Sequence, residues 1–271
     1  MNKQQDLDYA LGDAIREGKI GKVTGAIKNG AGINSVFCSS LGSCYERTPL
    51  YWAVYEEEHE IAQMLCDYGA DATIGEDLPL VCAAKNGDIR MINILLNSDI
   101  KIDVTADNNE ALYEALDNGY MDVAQLLVKH GADMCDQSSS MLDAAICWSS
   151  ETESDELVLY AIEAGARADV QKSVALRSAV KNNMTNSMIL LLIIFGGDPL
   201  GNDSEALFTA ASAGRESITR AMLEHVKDRI SGKHKDLVLK TLGDTKRRND
   251  RQQTIKEQNT TMEGFKSETL H

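Results

Sequence analysis

The side chains able to hold a metal ion or carry out catalysis are not arranged for either task in this sequence. His59-Glu60 begins like the helix of a zinc metalloprotease, but Gln63 stands where that helix needs its second histidine. The remaining histidines are scattered along the chain, each in a distant segment. We therefore expect surface or helix-end histidines, no bound metal and no cofactor.

Cysteine and serine patterns give no sign of an active site either. The six cysteines contain no Cys-x-x-Cys pair. Cys66 and Cys82 fall at helical positions, where cysteine acts as a small hydrophobe. Cys38 and Cys44 share one loop and could meet, although reduced thiols are the default in a cytosolic chain. A glycine-rich phosphate loop and a Gly-x-Ser-x-Gly elbow are both missing from the sequence. We predict that the protein is not an enzyme.

The sequence does contain a recurring frame built on alanine. Its clearest copy is Thr48-Pro49-Leu50-Tyr51-Trp52-Ala53-Val54. Weaker copies are centred on Ala14, Ala83, Ala115, Ala145, Ala179 and Ala210. The steps between successive alanines are 39, 30, 32, 30, 34 and 31 residues. Self-similarity with a period near 33 residues indicates a stack of repeats.

The frame resembles the ankyrin repeat, whose signature is Thr-Pro-Leu-His-x-Ala-Ala, a second helix and then Gly-Ala-Asp. Gly-Ala-Asp stands in full at residues 69–71 and 131–133. The chain departs from the signature because Tyr51, Tyr113 and Phe208 occupy the histidine position. The resemblance implies an all-α solenoid of stacked helix-turn-helix units with short β-turn loops. About seven units would fill residues 1–226.

Local physical chemistry agrees with this resemblance. Thr48 is a good N-cap, and Pro49 suits the first helical position, where no amide donor is needed. Gly69 and Gly131 can supply the left-handed residue that ends a second helix. Small alanines such as Ala115 should be buried between neighbouring short helices. One helix pair cannot bury its own apolar face, so stability should come from stacking on both neighbours.

Charge is divided unevenly along the chain. Residues 1–226 carry 16 basic and 35 acidic side chains, whereas residues 227–271 carry 11 basic and 7 acidic ones. An acidic body with a basic tail fits either an ordinary solvated surface with a solvated terminal helix or an acidic groove that selects basic partners. The longest apolar run, at residues 188–195, is too short to cross a bilayer, and the N-terminus lacks a signal-peptide core. We expect a cytoplasmic protein.

The resemblance also places candidate binding residues. In ankyrin repeats, partner contacts commonly come from the β-turn tips and from two positions just after the alanines of the first helix. The candidates that follow from this alignment are Tyr55, Glu56, Lys85, Asn86, Asp117, Asn118, Trp148, Lys181 and Asn182, with Asp77 and Asp107 at the tips. Tyr55 and Trp148 would be exposed aromatic anchors, whereas Trp52 should pack in the core.

Three segments depart from the regular period. An enlarged loop should occupy residues 31–47, and it is either functional or packed over the first repeat. About four residues are inserted near 149–154, where a longer turn between two helices is expected. Residues 236–243 should form a last helix that covers the stack. The polar residues 245–261 should be a frayed helix or disordered, so residues 227–271 would be a capping helix with a basic, flexible tail.

These features favour a non-enzymatic module that binds another protein through its concave groove and loop tips. One alternative is a bacterial or viral effector, delivered into a host cell, that engages a host protein. A less favoured alternative is binding of nucleic acid or an acidic membrane through Lys246, Arg247, Arg248 and Arg251. The acidic body would repel phosphate at long range, and the tail lacks interleaved aromatics for base stacking. No small-molecule substrate is expected.

Overall fold

A computed structural model of the chain describes residues 3–36, 47–74, 79–99, 102–135, 141–152 and 154–268, with side chains to residue 256 except at residue 172. Fifteen helices and no strands occur within these residues. The helices are α1 (Lys3–Arg16), α2 (Ile20–Lys28), α3 (Pro49–Tyr55), α4 (His59–Asp67), α5 (Pro79–Lys85), α6 (Ile89–Leu96), α7 (Ala106–Asp117), α8 (Met121–Lys129), α9 (Met141–Thr152), α10 (Glu156–Glu163), α11 (Val170–Lys181), α12 (Asn186–Ile194), α13 (Gly201–Ser212), α14 (Glu216–His225) and α15 (Gly232–Glu268).

The helices form two layers. Each odd-numbered helix from α1 to α13 is the first helix of a unit, and the next even-numbered helix is its partner. Every first helix packs against the first helix of the following unit, and α15 continues this row against α13. The predicted all-α solenoid is therefore confirmed. Among the described residues, no helix is both long enough and apolar enough to span a membrane.

Small side chains explain the close packing of the first-helix layer. Ala83 and Ala115 are 1% and 0% exposed, as predicted. The alanines at the equivalent positions of the other units, such as Ala53 and Ala210, are also fully buried. Since alanine occupies little volume, neighbouring backbones can approach, and one continuous core runs through all units.

Two local predictions are confirmed at unit boundaries. The Thr48 hydroxyl accepts a hydrogen bond from the Tyr51 amide at 3.2 Å, with Pro49 at the start of α3. Gly69 and Gly131 have φ values of 86° and 105°, in the left-handed region that ends the second helix. A side chain with a Cβ would be strained at either position.

The first helices share a common end point, with one exception. α3, α5, α7, α11 and α13 each end two residues after the frame alanine, whereas α9 continues seven residues past Ala145. The residues inserted near 149–154 therefore lengthen the helix itself, instead of only the turn that was expected. This extension changes the surface at the end of the fifth unit.

Candidate protein-binding surface

The predicted groove residues lie along one edge of the array, where the first helices end. Tyr55, Lys85, Asp117 and Lys181 are the last residues of α3, α5, α7 and α11. Glu56, Asn86, Asn118 and Asn182 directly follow them. We call this row of helix ends the first-helix edge. The stacking of the first helices thus brings residues from distant parts of the sequence onto one surface.

An aromatic cluster occupies the N-terminal part of this edge. The Tyr55 side chain is 55% exposed and stacks on Tyr51, with ring centroids 6.1 Å apart. Trp52 is half-buried against the core, as expected, and meets the Tyr55 ring edge-on at 5.9 Å. The cluster holds Tyr55 in place while leaving much of its ring open to a partner.

Trp148 differs from the exposed anchor that the repeat frame suggests. It lies within the extended α9, is half-buried and packs against the core. Its indole covers Gly119 so closely that a Cβ at Gly119 would lie 2.0 Å from the ring. Trp148 therefore supports the packing of two units as well as contributing surface.

Carboxylates along α7 and α9 form an acidic patch that reaches this edge at Asp117. Burial raises the pKa of Glu110, and Glu114 raises it further. Burial also raises the pKa of Asp117, with added repulsion from Glu114, Asp143 and Glu151. We call these five residues the carboxylate patch. Lys85 lies 3.2 Å from Glu114, so it offsets part of this charge.

Only part of the predicted tip surface lies within the described residues. Asp107 is exposed in the left-handed segment at the start of α7, with a φ of 50°. Asp77, Cys38, Cys44 and most of the enlarged loop at residues 31–47 lie outside the described residues.

Histidine and cysteine side chains of the described part of the chain are not gathered into a metal site. No group of three or more metal-ligating side chains occurs there. His59 Nε2 instead lies 2.6 Å from the Asp88 carboxylate. Burial raises the pKa of Cys66 and of Cys82 to about 11, which keeps both thiols protonated near neutral pH.

A polar cavity of about 450 Å³ lies at the same edge, beside the end of α9. Ser149, Ser150, Asp155, Asn182, Met184 and Thr185 line it. Only Asn182 was a candidate from the sequence. The insertion near 149–154 was the available signal, but its helical extension follows from packing between units and not from local composition.

Comparison with known proteins agrees with this architecture. Two family models match the chain, one for a single ankyrin repeat at residues 45–77 and one for ankyrin repeats in three copies at residues 72–138. The human ASB11 ankyrin repeat domain superposes with a TM-score of 0.59 over 79% of this chain and 96% of that domain, at 20% identity. The chain is an ankyrin-repeat protein. Its fold thus extends the repeats well beyond the matched residues.

Relatives of known sequence share only part of their length with this ankyrin-repeat protein. An alpha-latroinsectotoxin of Latrodectus tredecimguttatus is 34% identical over 100 residues. The transient receptor potential channel pyrexia of Drosophila melanogaster is 34% identical over 91 residues. A putative ankyrin repeat protein of Acanthamoeba polyphaga mimivirus is 24% identical over 110 residues. The matches cover 34%, 32% and 35% of this chain, and 7%, 10% and 34% of those proteins respectively.

Proposed function

We propose that this chain binds a protein partner with a basic surface along the first-helix edge. Ankyrin repeats are a known protein-interaction module. The carboxylate patch carries the finer proposal, because Glu114 lies within electrostatic reach of both Glu110 and Asp117, and Asp143 and Glu151 lie within reach of Asp117. A bound cationic side chain would relieve this repulsion, which favours partners rich in lysine or arginine.

The proposed contact surface extends from the carboxylate patch in both directions. Towards the N-terminus it includes Lys85, Asn86 and the exposed ring of Tyr55. Towards the C-terminus it includes Asn118, Trp148, Lys181 and Asn182. Glu56 would form part of its rim, where charges mainly affect association rate and salt dependence. The tip residues Asp77 and Asp107, predicted from the repeat frame, stay proposed contacts.

Affinity capture with charge-matched variants tests this proposal. The patch variant combines Glu110→Gln, Glu114→Gln and Asp117→Asn. The control variant combines Glu60→Gln, Asp122→Asn and Glu163→Gln, which are exposed residues of second helices. Proteins retained by the control but lost by the patch variant would be patch-dependent partners. Their purified complexes should weaken at least tenfold on patch substitution and more at low salt than at high salt. Equal capture by both variants would refute the proposal.

The effector and tail-binding alternatives gain no comparable support. The three relatives come from a spider, an insect and a giant virus, so they do not distinguish host delivery from residence in the cell of origin. In the tail, Lys246 pairs with Glu216 and Arg247 pairs with Asp244. These ion pairs reduce the positive charge available to a phosphate backbone. A cytoplasmic location remains part of the proposal.

A further inference from the structure

The polar cavity exists because the fifth unit has a longer first helix. It lies between the turn that joins α9 to α10 and the turn that joins α11 to α12. Ser149 and Ser150 belong to the last turn of α9, which extends past the point where the other first helices end. The cavity is therefore a feature of this chain's insertion and not of the repeat in general.

Ser149 provides a sign that the cavity is built to hold a ligand. Its side chain is 2% exposed, and its hydroxyl has no hydrogen-bond partner among the described residues. A buried hydroxyl that lacks a partner opposes folding, so such groups are uncommon unless something else binds them. The oxygen itself is closed to solvent, so a polar group seated in the cavity would supply the missing hydrogen bond once the Ser149 side chain rotated towards it.

The charge of the lining residues favours a cation. Each of the two turns contributes one helix C-terminus and one helix N-terminus, so the helix dipoles largely offset each other. Asp155 is the only formally charged residue in the described lining. Its side chain makes no capping hydrogen bond to α10, and no hydrogen bond or ion pair to another described residue engages it.

The polar groups around Asp155 suit a flat, multiply donating cation. Asn182 and Asn183 face the same cavity and offer amide oxygens, while Ser149 and Ser150 offer hydroxyl oxygens. A guanidinium group presents five N–H donors in one plane, whereas an ammonium presents three from a single point. Several separated acceptors around one carboxylate therefore match arginine better than lysine.

We propose that this cavity receives the guanidinium group of an arginine side chain presented by the partner, which deepens and rests on the proposed function. Asn182 belongs to both the first-helix edge and the cavity, so a chain lying along the edge passes the opening. Glu151, on the last turn of α9, extends the negative charge of the carboxylate patch towards it. Lys181 is exposed beside Asn182 and lies within electrostatic reach of Glu205, which is already paired with Arg177 at 2.7 Å.

Titration with a blocked tripeptide, acetyl-Gly-Arg-Gly-amide, tests the site without a known partner. Amide NMR shifts of the ¹⁵N-labelled full chain report where it binds and how tightly. We expect shifts at Ser149, Asn182 and Thr185 with a dissociation constant in the millimolar range. The same peptide with citrulline, the uncharged isostere of arginine, should bind at least tenfold more weakly, and the lysine peptide at least threefold more weakly. Equal binding of arginine and citrulline peptides would overturn the proposal, and equal binding of the lysine peptide would overturn the choice of guanidinium.

Two substitutions separate the cavity from general charge effects. Asp155→Asn should weaken the arginine peptide at least fivefold. Asp228→Asn, the same change at an exposed site after α14, should leave its affinity unchanged. Ser149→Ala should weaken it at least twofold while the thermal midpoint is kept or raised, because an unpaired buried hydroxyl is removed. Unchanged affinity in both Asp155→Asn and Ser149→Ala, with shifts elsewhere, would show that the cavity is not the site.

The two proposals fail in distinguishable ways. In one outcome, the arginine peptide binds at the cavity, but the patch variant and the control variant capture the same proteins. This outcome would support the cavity site and refute the proposed groove. In the other outcome, the patch variant loses partners that the control variant captures, but the arginine peptide does not shift the cavity amides. This outcome would support the groove and refute the cavity site.

Discussion

At the scale of single residues, side chains from one unit cover the turn glycines of the unit before. Tyr120 lies over Gly87, and a Cβ at Gly87 would come within 2.6 Å of its ring. Trp148 takes the corresponding place over Gly119. In the fifth unit, the covering side chain therefore comes from the extended first helix, α9. In the fourth unit it comes from Tyr120, the residue just before the second helix, α8. A binding defect in a Trp148 variant must therefore be separated from a loss of packing.

Trp148→Ala should lower the free energy of unfolding by about 2 kcal/mol, since a half-buried indole loses its contact with Gly119. Urea unfolding monitored by circular dichroism measures this change. Tyr55→Ala is the matched control, because its exposed ring covers no turn glycine and should contribute less than about 1 kcal/mol. Equal effects of the two substitutions would show that the indole adds no packing energy.

Ala115→Leu tests the close approach of the first helices. A larger side chain at this fully buried site should destabilise the fold by roughly 1–3 kcal/mol through overpacking. Ala213→Leu, at an exposed position after α13, should change stability by less than about 0.5 kcal/mol. An unchanged urea midpoint for Ala115→Leu would contradict the assigned register of the fourth unit.

At the scale of elements, several first helices begin with a left-handed segment that the repeat signature does not contain. Asp107, Asn108 and Asn109 have φ values of 50°, 59° and 60°, and residues 202–204 repeat the pattern. The last of the three residues is buried in both cases. In α7, Asn109 Oδ1 accepts a hydrogen bond from the Asp133 amide at 2.7 Å. In α11, Ser173 Oγ accepts a hydrogen bond from the Asp198 amide at 2.8 Å. These bonds link the entry of a first helix to the end of its second helix.

Asn109 allows the two parts of this arrangement to be measured separately. Asn109→Gly keeps the left-handed backbone accessible but leaves the Asp133 amide without its acceptor, so stability should fall by about 1–3 kcal/mol. Asn109→Ala should cost roughly 1–2 kcal/mol more than Asn109→Gly, because alanine keeps a Cβ at positive φ whereas glycine has none. Chemical unfolding of both variants gives the comparison. If alanine were tolerated as well as glycine, the backbone at residue 109 would not be left-handed in solution.

The sequence predicts the fold and the buried alanines because each depends on a periodic or local signal. The frame around Ala53 and Ala115 identifies the units, and Thr48-Pro49 identifies a helix start. The polar cavity could not be predicted, because it depends on how the extended α9 meets the turn at Asn182 in the next unit. The half-burial of Trp148 has the same origin, since its cover of Gly119 is a contact between units.

At the scale of the whole molecule, α15 packs on the array as one more first helix. The Phe208 ring lies 5.2 Å from His234, and Gly214 lies against Thr245 and Asn249, so α15 runs parallel to α13. Val238 and Leu242 are buried against the stack. Residues 236–243 thus lie in a helix that packs on α13, and α15 continues as helix to Glu268 through the segment expected to fray or be disordered. The flexibility of that segment stays a prediction.

Two truncations distinguish the covering part of α15 from its extension. Residues 251–256 expose all their side chains, so removing residues 250–271 should leave the thermal midpoint within about 1 °C, because little apolar area is lost. Removing residues 232–271 should lower it by several degrees. It uncovers α13 and loses the burial of Val238 and Leu242, each of which contributes about 1.5–3 kcal/mol. A large drop for the shorter truncation would mean that the extension docks on the array, and the basic residues of the tail would then lie against its acidic surface.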